Sequence, residues 1–378
     1  MISFWERESF TRYDYIIIGS GITGLSVAAA LLERQAQARV LVVERGIFPT
    51  GASTKNAGFA CIGSPTELLA DLRTMPSESV TALVALRYKG LRLLRQRLGD
   101  AAIGYTEQGS YELLSEPQLY CLPELARLNE LLLPVVQTTA FVRRDEIIGQ
   151  SGFDANYFRA AVTNCCEGQL DTGLMMRALL QYVQHLGATI INGAEVLGWT
   201  DTGAGVELRV QHTALQQEVV FWARRVAICT NAFARQLLPD IDLQPGRGQV
   251  LATHPIADLP FKGIFHFDEG YYYFRSHAGR VIFGGGRNLD FATETSTEFA
   301  YNELILADLT EKLHRYILPH TPFEIDMRWT GIMGFGSTKQ PHLLLHSPNV
   351  AVGVKLSGMG VAIGSELGRQ VAELLSLL

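Results

Sequence analysis

The chain has 378 residues, 47% of them hydrophobic and 19% charged, enough for two domains or for one large α/β domain with an inserted lobe. Its formal charge of −6 is spread over interspersed acids and bases, so there is no cationic stripe of the kind a nucleic-acid backbone requires. The first twelve residues lack the apolar core of a secretory signal, no apolar run reaches the ~18 residues of a membrane span, and five scattered cysteines show no metal-ligand spacing; a cytoplasmic protein with reduced cysteines, no metal, no nucleic-acid partner and no membrane span is expected.

In chain order, residues 15–18 form a short apolar run, as in a parallel strand buried on both faces. Glycines 19, 21 and 24 follow, residues 25–32 continue as an Ala- and Leu-rich helix, and residues 40–43 give a second buried strand ending on Glu44. Helical spacing over 66–98 predicts two helices broken near Pro76. A strand is expected at 109–114, a leucine-rich helix at 119–133 and an amphipathic helix at 174–186 ending before Gly187. Residues 188–191, 195–200, 206–210 and 218–221 read as a β-ribbon excursion, and 225–229 as a separate buried strand. From 248 to 287 aromatic-rich strands imply a largely antiparallel sheet in a second lobe. A helix over 299–317, a strand over 350–354, a glycine-rich turn over 357–364 and a closing helix over 366–378 complete the pattern.

The segment Gly19-Ser20-Gly21-Ile22-Thr23-Gly24 joins a strand to a helix. Gly19 permits the tight turn, Gly21 lets backbone approach a pyrophosphate, Gly24 lets the helix pack on the strand, and the helix N-terminus offers N–H groups to the anion. Glu44 lies 20 residues after Gly24, where a carboxylate can accept from a ribose diol and repels a 2′-phosphate, so FAD or NAD suits the unit better than NADP. Soon after comes Gly51-Ala52-Ser53-Thr54-Lys55-Asn56-Ala57-Gly58, whose small and hydroxyl residues can wrap phosphate oxygens and the edge of a flat ring.

These two segments, together with Lys355-Leu356-Ser357-Gly358-Met359-Gly360-Val361, Leu170-Asp171-Thr172, Thr230-Asn231-Ala232 and Gly246-Arg247-Gly248-Gln249-Val250, resemble the D-amino acid oxidase superfamily, and within it the glycine oxidase and sarcosine oxidase branch. The resemblance implies a glutathione-reductase-like FAD-binding domain of α/β class, discontinuous over 1–85, 165–242 and 335–378, and an antiparallel substrate domain over 86–164 and 243–334. It implies FAD, held by Gly19, Gly21, Gly24, Glu44, Arg45, Ser53, Thr54, Lys55, Asn56, Ala57, Gly58, Val196, Thr230, Asn231 and 357–361, namely Ser357, Gly358, Met359, Gly360 and Val361; with no cysteine after Cys229 and Asn56 in the place of the attaching histidine, the FAD is expected to be non-covalent. The implied reaction is oxidation of the C–N bond of a small amine or amino acid by hydride transfer to flavin N5, with O2 or another electron acceptor reoxidising the flavin. Two other readings share the scaffold: a 2-hydroxy acid dehydrogenase, with His254, His266 or His277 as base, and a flavin-binding protein without turnover.

The chain departs from that pattern at three places. Where glycine oxidase-like members carry a carboxylate-clamping arginine, Met333 stands, and a thioether cannot form a bidentate pair. Arg275, two residues beyond Tyr273 on the same strand, is the substitute expected from the sequence. Ile282 takes the place of the oxygen-activating lysine, leaving Lys355 as the alternative cation. Asn56 stands where covalently flavinylated relatives have histidine. Tyr273, Arg275, Met333 and Lys355 are therefore the expected residues around the substrate.

Overall fold

In the computed structural model, which describes residues 2–212 and 216–376, two eight-stranded sheets carry the fold. The first runs His342–Ser347, Val350–Val354, Gln217–Ile228, Arg12–Ile18, Val40–Glu44, Thr189–Asn192. Its four inner neighbouring pairs, from Val350–Val354 to Thr189–Asn192, are parallel. Parallel strands need both faces covered, and alternate residues of Arg12–Ile18 do go to opposite cores: Tyr15 and Ile17 pack with the helices Ile22–Arg34, Thr172–His185 and Gly360–Ser376, while Ile16 and Ile18 pack with Leu208, Phe221 and Val352.

Ala194–Asp201 and Val206–His212 pair antiparallel with each other and Val206–His212 with Gln217–Ile228, as expected of the ribbon, but the strand expected at 188–191 leaves it and pairs parallel with Val40–Glu44 as Thr189–Asn192. Gln217–Ile228 is one continuous strand rather than two. Its first half pairs with the ribbon and its second half with Arg12–Ile18, so the polar Arg224 and Arg225 that suggest a break lie inside the ladder.

The second sheet runs Ile325–Phe335, Gln244–Thr253, Arg280–Gly285, Tyr272–His277, Ile264–Phe267, Ser110–Leu114, Ala160–Asn164, Phe141–Arg143. All its pairings are antiparallel except Ile264–Phe267 with Ser110–Leu114. One face holds an aromatic core in which Phe265, Phe267, Tyr272, Phe274 and Phe283 meet the helix Glu303–Lys312. The opposite face carries Tyr273 and His266, direct partners across the strand pair. That face forms the roof of the site.

Several helix boundaries differ from the periodicity. The break at Pro76 separates Pro65–Thr74 from Ser77–Leu98 as expected. The boundary placed at 85/86 falls inside the second of these, whose Gly90 rides on Gly360–Ser376: a Cβ there would stand 2.1 Å from the Ala362 carbonyl oxygen. Residues 116–124 are a 3-10 segment, and the following helix Leu125–Val136 contains Pro134 in its last turn, where the ring removes one i to i−4 donor and the helix ends two residues later. The helix expected from 299 begins at Glu303 behind an Asn302 cap. The closing helix begins at Gly360, six residues before 366, because its glycines pack against Ile22, Thr23 and Ser26 instead of forming a loop; positions 377 and 378 lie outside the described residues.

Candidate active site

The crevice lies beyond the carboxyl ends of the parallel strands, where open α/β sheets place ligands. Gly19 follows Ile18 with φ +103°, and a Cβ there would meet the Cys229 carbonyl oxygen at 2.9 Å. A Cβ on Gly24 would stand 1.9 Å from the Gly19 carbonyl oxygen, so the helix Ile22–Arg34 sits directly on the turn. Gly21 caps that helix without a side chain, and the Ile22 N–H donates to Ser53 Oγ at 3.0 Å. Glu44, 8% exposed, accepts from the Ser20 N–H and hydroxyl and from the Gly46 N–H. Its carboxylate is thus fixed at the strand end beside the glycine turn.

A second wall is the loop after Glu44, with its short helix Ala52–Lys55. Ser53, Lys55, Asn56 and Ala57 line the cavity, but Thr54 and Gly58 do not. Thr54 donates to the carbonyls of Pro49 and Gly51 and so shapes the loop from behind. Gly58, at φ +78°, is a glycine because a Cβ would strike Leu170 O and the Arg275 guanidinium. Asn56 ties the loop down, donating to Ser53 O and accepting from Gly58 N–H and Thr172 Oγ1.

Arg45, Val196, Thr230, Asn231 and the turn 357–361 close the far side, with Arg45 stacked 3.8 Å above the Phe233 ring. Asn231 Oδ1 accepts from the N–H groups of Lys355 and Leu356, which holds the turn, and the 17-residue helix Gly360–Ser376 points its N-terminus into the same cavity. Two helix N-termini therefore supply partial positive charge to one crevice. Thr23 and Thr230 line it, and their Oγ1 atoms are buried with no hydrogen-bond partner among the described residues. Buried hydroxyls are rarely left so. The glycine cradle, the fixed carboxylate and the orphaned hydroxyls fit FAD.

Lys355 corrects one expectation. It does not line the cavity; its Nζ turns to Thr338 Oγ1 at 3.2 Å and toward Asp242. Burial pulls its pKa below the ordinary lysine value, with Asp242 opposing. The lysines that line the cavity are Lys55 and Lys339.

Arg275 corrects another. It shares a face with Tyr273 but lies outside the cavity lining, and its Nη1 donates to the carbonyls of Ala57, Gly58 and Leu170. It pins the flavin-side loop to the roof strand rather than facing a substrate. Tyr273 and Met333 do line the cavity. Gly284 makes room for Tyr273, since a Cβ there would stand 2.7 Å from the phenol ring. Burial pushes that phenol up to about 12, so it stays neutral.

Sequence reasoning missed Arg287. It follows the Gly284-Gly285-Gly286 run, lines the cavity, and lies between the rings of Phe335 at 4.0 Å and Phe291 at 4.8 Å. Among the described residues it forms no ion pair. Burial lowers its pKa, yet a guanidinium stays charged. The signal was the glycine run, which marks a strand end where backbone and ligand come close.

The cavity, about 740 Å3, continues past the flavin-facing turn to Glu67, Asp71, His266 and Lys339. Burial pushes Glu67 up, but Arg87 and Lys339 outweigh it and hold the carboxyl at about 2. Burial raises Asp71, with Lys339 opposing, and lowers His266 to about 4, leaving a neutral imidazole. Of the three histidines weighed as bases, only His266 lines the cavity; His254 and His277 sit against Asp326 and Asp171.

The family model described as FAD dependent oxidoreductase matches residues 14–374. A curated relative, "Probable oxidoreductase OrdL" of Haemophilus influenzae, is 22% identical, covering 95% of this chain and 82% of that protein. Among solved structures, L-proline dehydrogenase from P. horikoshii superposes with a TM-score of 0.78 at 17% identity, covering 97% of this chain and 94% of that one. Glycine oxidase from Geobacillus kaustophilus gives 0.75 at 20% identity with 97% and 95% covered. Iminodiacetate oxidase from Chelativorans sp. BNC1 gives 0.73 at 19% with 96% and 95% covered. These likenesses bear out the fold. With the glycine cradle, Glu44 and the two converging helix N-termini, the match over nearly the whole chain makes this protein a member of the FAD-dependent oxidoreductase family typified by D-amino acid oxidase.

Proposed function

We propose that the chain oxidises the C–N bond of a small amino acid or amine. When bound, FAD would supply the two-electron acceptor, taking at N5 the hydride from the carbon bearing nitrogen; water would hydrolyse the imine, and O2 or another acceptor would reoxidise the flavin. The observation that carries this reading is Arg287, a cavity-lining cation without an anionic partner among the described residues. A substrate carboxylate supplies that partner, and the Phe291 and Phe335 rings fix the plane of the fork that receives it. Tyr273 offers a neutral hydroxyl from the roof, and the thioether of Met333 fills the space where relatives of this type clamp the carboxylate. An amine needs only to be held neutral and oriented, so no strong base is required.

The flavin is held without a covalent bond in this reading. Of the two cysteines that line the cavity, burial pushes the Cys229 thiol to about 12, and burial with Glu167 pushes Cys61 well above its ordinary value. Neither offers a thiolate to attack a flavin. Acid precipitation should leave the yellow colour in the supernatant; colour retained on the pellet contradicts this.

Oxidation of a 2-hydroxy acid is the second reading, favoured by one observation: His266 is neutral and lines the cavity, as a general base must. Anaerobic mixing with D- and L-amino acids, N-methyl amino acids and 2-hydroxy acids decides. Flavin reduction by an amino acid supports the proposal. Reduction by hydroxy acids alone replaces it with the second reading, and no reduction by any of them points to a flavin protein without turnover.

A further inference from the structure

Beyond the flavin-facing turn, the same cavity ends in a charged chamber that hydride transfer does not use. Glu67 and Asp71 are four residues apart on the helix Pro65–Thr74 and share a face. Lys339 Nζ lies 2.6 Å from Asp71 Oδ1 and 3.4 Å from Glu67 Oε1. Arg87, 1% exposed, closes behind Glu67 at 3.1 Å. Arg87 and Lys339 thus balance the two carboxylates, Lys339 lying nearer Asp71. Lys339 meets only one oxygen of Asp71, which is 4% exposed, and its Oδ2 has no partner among the described residues. On the roof, His266 is 8% exposed with Nδ1 equally without a partner, and Glu269 adds a carboxylate at the turn beyond it. Two buried polar atoms on different elements, a carboxylate oxygen and an imidazole nitrogen that accepts when the proton sits on Nε2, therefore belong to residues lining one chamber and have no partner among the described residues. Such groups are costly unless a ligand or water completes them.

We infer that this chamber binds a cationic, donor-rich group, the ammonium or guanidinium at the far end of the substrate's side chain. An ammonium carries three donors and a guanidinium five, with no acceptor, which suits a free carboxylate oxygen and a neutral imidazole nitrogen. A carboxylate-ended side chain meets Asp71 and Glu269 instead, and an apolar one leaves both acceptors unmet. The inference rests on the amino acid reading and specifies it: the carboxylate at Arg287, the reacting carbon between, and a basic terminus at Asp71 and His266.

The test is ligand binding to the FAD-loaded protein, read from the perturbation of the oxidised flavin spectrum by hexanoate and by 6-aminohexanoate, which share a carboxylate and chain length and differ in the terminal ammonium. The expected result is 6-aminohexanoate binding at least ~10-fold tighter, a ratio that a single charge-assisted hydrogen bond supplies. In Asp71→Asn and in His266→Phe the ratio should fall toward one. Equal affinities in the wild type, or a ratio unmoved in both variants, overturn the inference; if the variants do not retain FAD, the wild-type ratio alone decides. The measurement involves no turnover, so a failure of the amino acid reading, seen as absent flavin reduction, is separate from a failure here.

Discussion

The Arg287 guanidinium carbon lies 4.0 Å from the centroid of the Phe335 ring, at the end of the strand that carries Met333. An arginine held this way keeps its charge while losing much of its freedom, because the ring faces carry negative potential and the planar fork is already ordered. In the proposed reading, the carboxylate clamp lies at the glycine-rich end of Arg280–Gly285 in place of the Met333 strand.

Replacing Arg287 by Met should raise KM for amino acids by about 10- to 100-fold, the worth of a charge-assisted bidentate contact. Amines without a carboxylate should be affected far less. Steady-state kinetics on one amino acid and its decarboxylated amine check this, and an equal loss on both would remove Arg287 from substrate binding.

Arg275→Met should act differently. It removes a guanidinium that meets the carbonyls of Ala57, Gly58 and Leu170, leaving buried acceptors unpaired at a cost of about 2 to 4 kcal/mol. Chemical denaturation should show that loss together with weaker FAD retention. A variant of wild-type stability with KM raised only for carboxylate substrates would restore the role expected from the sequence.

Gly24→Ala places a methyl 1.9 Å from the Gly19 carbonyl oxygen, a backbone atom that cannot swing aside. The helix must lift off the turn, at about 1 to 3 kcal/mol or more. Purified protein should carry much less FAD per chain, measured from the ratio of flavin to protein absorbance. Full occupancy would show that the helix does not rest on that turn.

Glu112 gives a pH dependence. Burial raises its carboxyl to about 7, against donors from Thr66 and Ser64. Between about pH 4.5 and 7 the native state keeps a proton that the unfolded chain releases, so this contribution is complete below the lower value and lost as pH rises through the upper one. The span corresponds to about 3 kcal/mol. Glu112→Gln should therefore flatten the fall in Tm between about pH 5 and pH 8, and an unchanged slope would contradict it.

The FAD half of the site was legible because its signals are local: Gly19, Gly21, Gly24 and Glu44 act within one strand, helix and strand, and the backbone demands on them show in residue type. Reading Thr54 and Gly58 as ligands failed for a related reason. Small residues that shape a loop and small residues that touch a ligand are the same residues in sequence. The substrate end was hidden because it is assembled by register across strands. Arg275 and Tyr273 share a face by the two-residue period, but only the packing of 57–58 beneath the roof decides that Arg275 is spent on carbonyls. Lys339 and Asp71 are 268 positions apart in the chain and become neighbours at 2.6 Å only through the tertiary fold.

The most direct test of the central claim is the spectrum of the bound flavin, without oxygen, as amino acids are added. Oxidation of a C–N bond here requires the oxidised-flavin band to bleach with a saturable dependence on amino acid concentration, and the dependence to weaken in Arg287→Met. A flavin that remains oxidised in the presence of every amino acid and amine, or that bleaches equally well in Arg287→Met, would contradict it.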